Sequence, residues 1–275
     1  LGGLILFEFL VVPYPMSPIQ IPEFYRQLAA EPGDFTIAEL PMNWDRPTPL
    51  LHQTVHGKRL LTAYTSRNNP LELAWRTPVF QQWRYLGPDI IDQPLAEIAP
   101  TIFYDFNLRY IVLDYWQMPP GPERSQTERW VAAALPGATP VYDDGRLKVY
   151  RAPDKTCTRP YLSLGEGWSD RQITSAGTLR TFAHAGSPSA ELFVHHPADP
   201  LTLHLTLAAS EPRRVAVLVN GETVDTLEVT SVFSQYTLPL KPGPDDLLKV
   251  TLKAPAPRQP VVVRRVRLSP EKCRD

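Results

Sequence analysis

The amino-acid sequence predicts a small α/β sheet domain followed by an all-β, jelly-roll-like sandwich. Three observations predict it. Up to residue 151, short apolar runs alternate with stretches of helical period, as in a sheet covered by helices. Beyond residue 161 that period is gone, and eight short alternating runs follow within roughly 110 residues. Proline, at 31 of 275 residues, is about twice as frequent as usual and is spread along the chain, which means short elements and fixed loops.

Residues 1–13 (LGGLILFEFLVVP) are an apolar run broken by Glu8. The run is shorter than the roughly 20 residues that span a bilayer, and it lacks the basic start and small-residue cleavage site of a signal peptide. From the residues alone two readings stand: a buried terminal strand or helix, or the outer end of a transmembrane helix that begins before Leu1. Residues 23–30 (EFYRQLAA) form a helix stopped at Pro32-Gly33. Residues 35–40 form the first strand, and 47–55 a helix with Pro47 near its start and Gly57 at its end. A second strand is expected at 59–64 and a helix at 78–86, with further helical pieces at 89–98 and 102–108 separated by Pro94 and Pro100. Residues 110–115 (YIVLDY) read as a buried strand and 123–135 as an amphipathic helix. A hairpin turning at Asp143-Asp144-Gly145 closes the domain.

The resulting division is an anchoring or transmembrane end at 1–16, an α/β domain at 17–151, a polar linker at 152–160 and a sandwich at 161–270. The sandwich runs are 179–183, 190–195, 201–207, 215–219, 223–229, 235–240, 247–252 and 261–268. Asn220-Gly221 is the strongest hairpin signal in the chain.

A net charge of −1 gives no broad footprint for nucleic acid, so none is expected as a partner. Arg264, Arg265 and Arg267 are the notable basic cluster; interleaved with valines and Leu268, they read as an edge or outer strand. No Walker A motif, no G-x-G-x-x-G after a strand and no G-x-S-x-G is present, and no cofactor is expected.

The best site candidate is 52–67 (HQTVHGKRLLTAYTSR), a polar loop beyond a strand end, where ligands bind in open α/β sheets. It is expected to line a concave surface, with His52, Gln53, His56, Lys58, Tyr64 and Arg67 facing a ligand, Arg67 offering a two-pronged grip on phosphate or sugar. His52 and His56 share one helix face, a spacing that suits a metal with Glu39 or Asp45. No Glu follows His52 and no third histidine is near, so hydrogen-bonded histidines pinning a loop are the expectation and a metal is not. Tyr161, Trp168 and Phe233 are candidates for stacking on sugar rings, although such residues are more often plugs of the sandwich core. Asp114, at the end of a strand, reads as an active-site carboxylate or a partly solvated strand end, and His195-His196 as turn surface.

Taken in order, LILFEFLVVPYPM, IPEFYRQLAAEPGDFTIAELPM, HQTVHGKRLLTAYTSR, NLRYIVLDYW and VYDDGRLKVYRAP resemble the C-terminal extracytoplasmic part of bacterial polytopic membrane proteins of the GT-C glycosyltransferase-like class. GEGWSD at 165–170 is similar to the start of the sandwich that some of them carry, and VLVNGETV to its hairpin. The resemblance implies the membrane reading of the N-terminus and a place at the extracytoplasmic face of the cell membrane. It also implies that the catalytic carboxylate sits in earlier loops, so that no residue here is catalytic. The function it implies is a non-catalytic part that helps to position an acceptor or glycan, with a glycan or lipid-linked sugar as partner. A free-standing carbohydrate-binding or adhesion module is the second reading, and a hydrolase using Asp114 or the His52/His56 region a third.

Cys157 and Cys273 flank the first and last strands of the sandwich, whose ends are expected to lie close together. A disulfide between them is expected if the chain is extracytoplasmic; two unrelated thiols are the alternative.

Overall fold

The computed structural model describes residues 20–42, 46–62, 72–175, 177–183, 187–198, 200–243, 245–254 and 260–269. Its first layer structure is a mixed sheet built from β1 (Thr36–Leu40), β2 (Arg59–Leu60), β3 (Leu108–Asp114), β4 (Tyr142–Asp143) and β5 (Leu147–Arg151), in the order β2-β1-β3-β5-β4. β1 pairs in parallel with β2 and β3, and β5 runs antiparallel to β3 and β4. All five residues of β1 are buried, because both faces of the sheet are covered. On one face α1 (Glu23–Ala30) sets Phe24, Tyr25 and Leu28 against Ile37, Val112 and Val149, and α2 (Thr48–His56) packs beside α1. The other face buries Ala38, Leu40, Ile111 and Leu113 under α4 (Phe80–Tyr85), α5 (Leu95–Asp105) and α6 (Pro122–Ala134), through Phe80, Trp83, Ile102 and Val131. A short α3 (Glu72–Arg76) precedes α4.

Local chemistry sets the ends of these helices. Pro49 in α2 and Pro122 in α6 occupy the first turn, where the missing N–H costs nothing. Gly57 closes α2 at φ 66°, a left-handed position that suits glycine.

The second part is a sandwich of two antiparallel five-stranded sheets. One has the order β13-β10-β15-β8-β7 and the other β12-β11-β14-β9-β6. The strands are β6 (Tyr161–Leu164), β7 (Gln172–Thr174), β8 (Gly177–Phe182), β9 (Ser189–His195), β10 (Leu201–Ala209), β11 (Arg213–Val219), β12 (Glu222–Val229), β13 (Ser234–Leu240), β14 (Leu247–Lys253) and β15 (Val261–Ser269). Alternate residues point inward, so Leu203, Leu205, Leu207, Val263, Val266 and Leu268 share a core with Leu192, Val194, Val215, Val217, Val250 and Leu252. Each such side chain contributes roughly 1.5–3 kcal/mol by leaving water. Asn220 at φ 49° and Gly221 at φ 92° turn the β11–β12 hairpin, as that dipeptide predicts.

Two expectations are corrected. The helical piece expected at 89–98 is extended over its first half: Ile91 bridges Val266 of β15, and Ile90 and Ile91 belong to the sandwich core. Pro88 and Pro94 bracket this segment, and its backbone finds its partners on β15 instead, through Asp92 N–H to Val266 O (2.9 Å) and Val266 N–H to Ile90 O (2.8 Å). Pro100 does not separate two helices. It sits inside α5, and the loss of one backbone bond is offset by burial of Ile98, Ala99, Ile102 and Phe103.

The two parts are therefore tied together upstream of the linker. Arg180 of β8 and Asp89 form a two-pronged ion pair, Nε to Oδ1 at 2.8 Å and Nη2 to Oδ2 at 2.6 Å, with both side chains 0% exposed. Gln93 adds a clamp on the start of β6, donating to Pro160 O and accepting from Leu162 N–H.

Candidate functional site

The stretch that stands out in the sequence forms a buried joint in its described part. Four-residue spacing puts His52 and His56 on one face of α2, and that face turns inward, leaving them 1% and 4% exposed. Both imidazoles stack on the ring of Tyr25, at 4.1 and 5.6 Å between centroids. His52 Nδ1 lies 3.1 Å from Glu39 Oε2, and His56 Nε2 3.9 Å from Glu39 Oε1. His56 Nδ1 accepts from the Lys58 N–H at 2.9 Å, so in the neutral ring the proton sits on Nε2, facing Glu39. Burial holds His56 down to about 4, assisted by His52 and Lys58, and burial raises the Glu39 carboxyl against the pull of His52. Burial and Glu39 together push the Tyr25 hydroxyl well up.

Gln53 donates to Lys58 O at 3.0 Å, and Lys58 Nζ donates to Glu31 O and Gly33 O, fastening the turn after α1. These four side chains hold α1, β1 and α2 together, and His52 and His56 are too buried to face a ligand. Tyr64 and Arg67 lie outside the described residues. Among the described residues no three His, Cys, Asp or Glu side chains gather as a metal site. Asp114 is fully buried and caps the turn after β3, accepting from Trp116 N–H at 3.0 Å and Gln117 Nε2 at 3.0 Å.

Two of the three stacking candidates are core plugs. Tyr161, 1% exposed, stacks on His195 at 4.3 Å and donates its hydroxyl to Asp105 at 2.9 Å. Burial and the Asp105 charge raise that hydroxyl far above its usual range. His196 Nε2 meets the same Asp105 oxygen at 2.8 Å. Trp168 donates from Nε1 to Glu191 O at 2.6 Å and meets Phe182 edge-on. A sugar ring needs an open aromatic face, and neither residue offers one. Phe233 remains 37% exposed. Cys157 is in a disulfide, and Cys273 lies outside the described residues.

Phe233 stands at the end of a polar face. In β10 the leucines point inward, so Thr202, His204 and Thr206 point out. Register sets His204 opposite Thr237 of β13 and Arg267 of β15, and Thr206 opposite Gln235 and Arg265. The β10–β15 register shifts after Thr206, leaving Arg264 and Arg265 both exposed at a bulge, where side chains are re-aimed. An open groove of about 260 Å³ results, lined by His204, Thr206, Gln235, Arg265, Arg267 and Ser269. His204 Nδ1 lies 3.3 Å from both Gln235 Nε2 and Thr237 Oγ1, and Arg265 Nε 3.1 Å from Asp92 Oδ2. The Arg264 guanidinium lies 5.8 Å from the centre of the Phe233 ring.

Sequence reasoning missed this groove. The signal was the alternation LTLHLTL at 201–207, which puts a histidine between two threonines on the outer face. The basic cluster is not on an edge strand either: β15 pairs with β10 on one side, and on the other with β8 as far as Val263 and then with segment 90–92 at Val266.

No protein-family model matches this chain, and no curated protein does. Solved structures are similar to part of it. The CBM22-1 xylan-binding domain of Xyn10C from Paenibacillus barcinonensis is 13% identical, over 39% of this chain and 83% of that one, with a TM-score of 0.31. TmCBM61, solved in complex with β-1,4-galactotriose, is 11% identical over 40% and 86%, with a TM-score of 0.29. A family 35 carbohydrate-binding module from an environmental isolate is 17% identical over 40% and 92%, with a TM-score of 0.28.

Proposed function

We propose that this chain is a glycan-binding module, with the outer face of β10, β13 and β15 as its contact surface. One observation carries the reading: a preformed groove of polar side chains on rigid strands, with the exposed Phe233 ring just before β13, two residues from Gln235 of the groove and beside Arg264. A sugar presents hydroxyl groups around its rim and C–H bonds on its faces. His204, Thr206, Gln235 and the arginines supply donors and acceptors for the rim, and Phe233 supplies a face for stacking. Because the strands already hold these groups in place, little ordering is left to oppose binding. Among the described residues the groove lining holds no carboxylate, whereas most glycoside hydrolases act through a pair of them.

The sequence resemblance supports placing this module on the extracytoplasmic side of a GT-C-like membrane protein, where it would hold an acceptor or lipid-linked sugar near catalytic loops carried elsewhere. Among the described residues no helix is long and apolar enough to cross a membrane. Calorimetric titration of the chain against an oligosaccharide panel tests the binding reading. Binding in the micromolar to millimolar range, weakened about tenfold or more in Phe233→Ala or Gln235→Ala, is expected. Absence of binding to every glycan at millimolar concentration would refute it.

A further inference from the structure

The charges on this face point to the class of glycan. His204, Thr206, Gln235, Arg265, Arg267 and Ser269 line the groove, and Arg264 stands beside it at the bulge. Three of these are arginines, one is a histidine, and none is a carboxylate. Asp92 approaches from the neighbouring segment and pairs with Arg265, both exposed. Arg264 lies over Phe233, at the end where a stacked ring would sit.

Folding accounts for this crowding only in part, through the exposed Arg265–Asp92 pair. Three arginines within four residues repel one another, and their heads stay in water, so they add little to the core. Charges on a strand commonly protect an exposed sheet edge from pairing with another chain. Beside the bulge β10 pairs along one side of β15; on the other side the β8 pairing ends at Val263, and segment 90–92 takes over by bonding Val266. The chain as a whole has a net charge of −1, so the basic face is a local feature.

We infer that the groove takes an anionic glycan, its acidic group held by guanidinium forks beside the ring that stacks on Phe233. This rests on the glycan-binding reading above and names the ligand class within it. An arginine fork matches the two oxygens of a carboxylate and those of a phosphate or sulfate ester alike, with charge-assisted hydrogen bonds stronger than those to a neutral hydroxyl. The shared chemistry is a sugar carrying a full negative charge at the rim of the groove.

The test is calorimetric titration of the 275-residue chain with oligosaccharides of one backbone in three forms: neutral, uronate-bearing and phosphate- or sulfate-esterified. Each is run at low and high sodium chloride. At low salt the charged forms are expected to bind about tenfold tighter than the neutral one, and the gap to narrow as salt rises. The tighter of the two charged arms identifies the acidic group. Arg264→Gln and Arg265→Gln are expected to abolish the preference, weakening the charged forms more than the neutral one; Arg214→Gln, on the opposite sheet, should leave the preference intact. Circular dichroism of each variant checks that it is folded. Equal affinity for neutral and charged forms would overturn the inference and leave the glycan-binding reading standing. Binding of none of the three would overturn both. A preference lost equally in Arg214→Gln would show general charge attraction and also overturn the inference.

Discussion

Replacing Arg180 by methionine tests the tie between the two halves of the chain. The guanidinium makes two bonds to Asp89 and one to Ser169 O (2.8 Å), and it lies 4.6 Å from the centre of the Trp75 ring. Methionine fills much of the same volume but leaves the Asp89 carboxylate 0% exposed, with the Ile90 N–H (2.7 Å) and the more distant Gln81 Nε2 (3.3 Å) as partners. Breaking a buried pair in this way costs about 3–5 kcal/mol, because the remaining charge lies out of water with the more distant Arg171 as its counter-ion. Asp89→Asn on top of Arg180→Met removes that charge and keeps an acceptor for Ile90 N–H. The double variant should then recover roughly 2 kcal/mol or more of the loss, a coupling that a double-mutant cycle isolates. Urea denaturation followed by circular dichroism measures all four proteins. Since the pair joins the segment before α5 to β8, the Arg180→Met transition is also expected to broaden or split as the halves uncouple. A cost below about 1 kcal/mol for Arg180→Met, or strictly additive single effects, would refute the reasoning.

Three further outcomes are expected. Burial holds the His195 imidazole down to about 4, and the neighbouring His196 charge adds to this against the pull of Asp105. The unfolded chain titrates near 6.5, so stability is complete above about pH 6.5 and is lost as pH falls toward 4, by up to roughly 3 kcal/mol. His56, held near 4 by burial, contributes with the same sign. His195→Gln should flatten this fall in pH-dependent denaturation, and an unchanged slope would contradict it. Gly167 sits at φ 87° with the place of a Cβ only 1.9 Å from Ser189 O, whereas Gly221, at φ 92°, has open space. Gly167→Ala is expected to cost about 3 kcal/mol or more and Gly221→Ala about 1–2 kcal/mol in thermal unfolding, and equal costs would show that the contact with Ser189 yields. Mass spectrometry without reductant should recover Cys157 and Cys273 in one cross-linked pair, and reduction should lower stability by about 4–5 kcal/mol or less for a loop of this length. Two freely alkylated cysteines would refute that pairing.

The fold class was legible because period is a local property. LTLHLTL announces a half-buried strand without reference to any other part of the chain, and the structure places β10 there. Partners are a different matter. Residues 89–93 (DIIDQ) run toward a helical stretch and read as its beginning, and only the distant β15, supplying backbone bonds to Ile90 and Asp92, makes them extended. The same limit misdirected the site. Four-residue spacing correctly put His52 and His56 on one face, but two imidazoles on a helix ordinarily turn toward water. Here they turn inward because α1 brings the Tyr25 ring and β1 brings Glu39 to the same place, giving a flat apolar surface and a counter-charge at once. Arg264, Arg265 and Arg267 failed in the opposite direction. Charge on a strand run is ordinarily a sign of an edge, and nothing local shows that β15 lies between β10 and β8. Strand order, with β10 on one side and β8 and then segment 90–92 on the other, sets these charges on the outer face beside the groove, where the anionic glycan proposed above would meet them. A conclusion of that kind rests on topology, and no window of the sequence around residues 261–268 contains it.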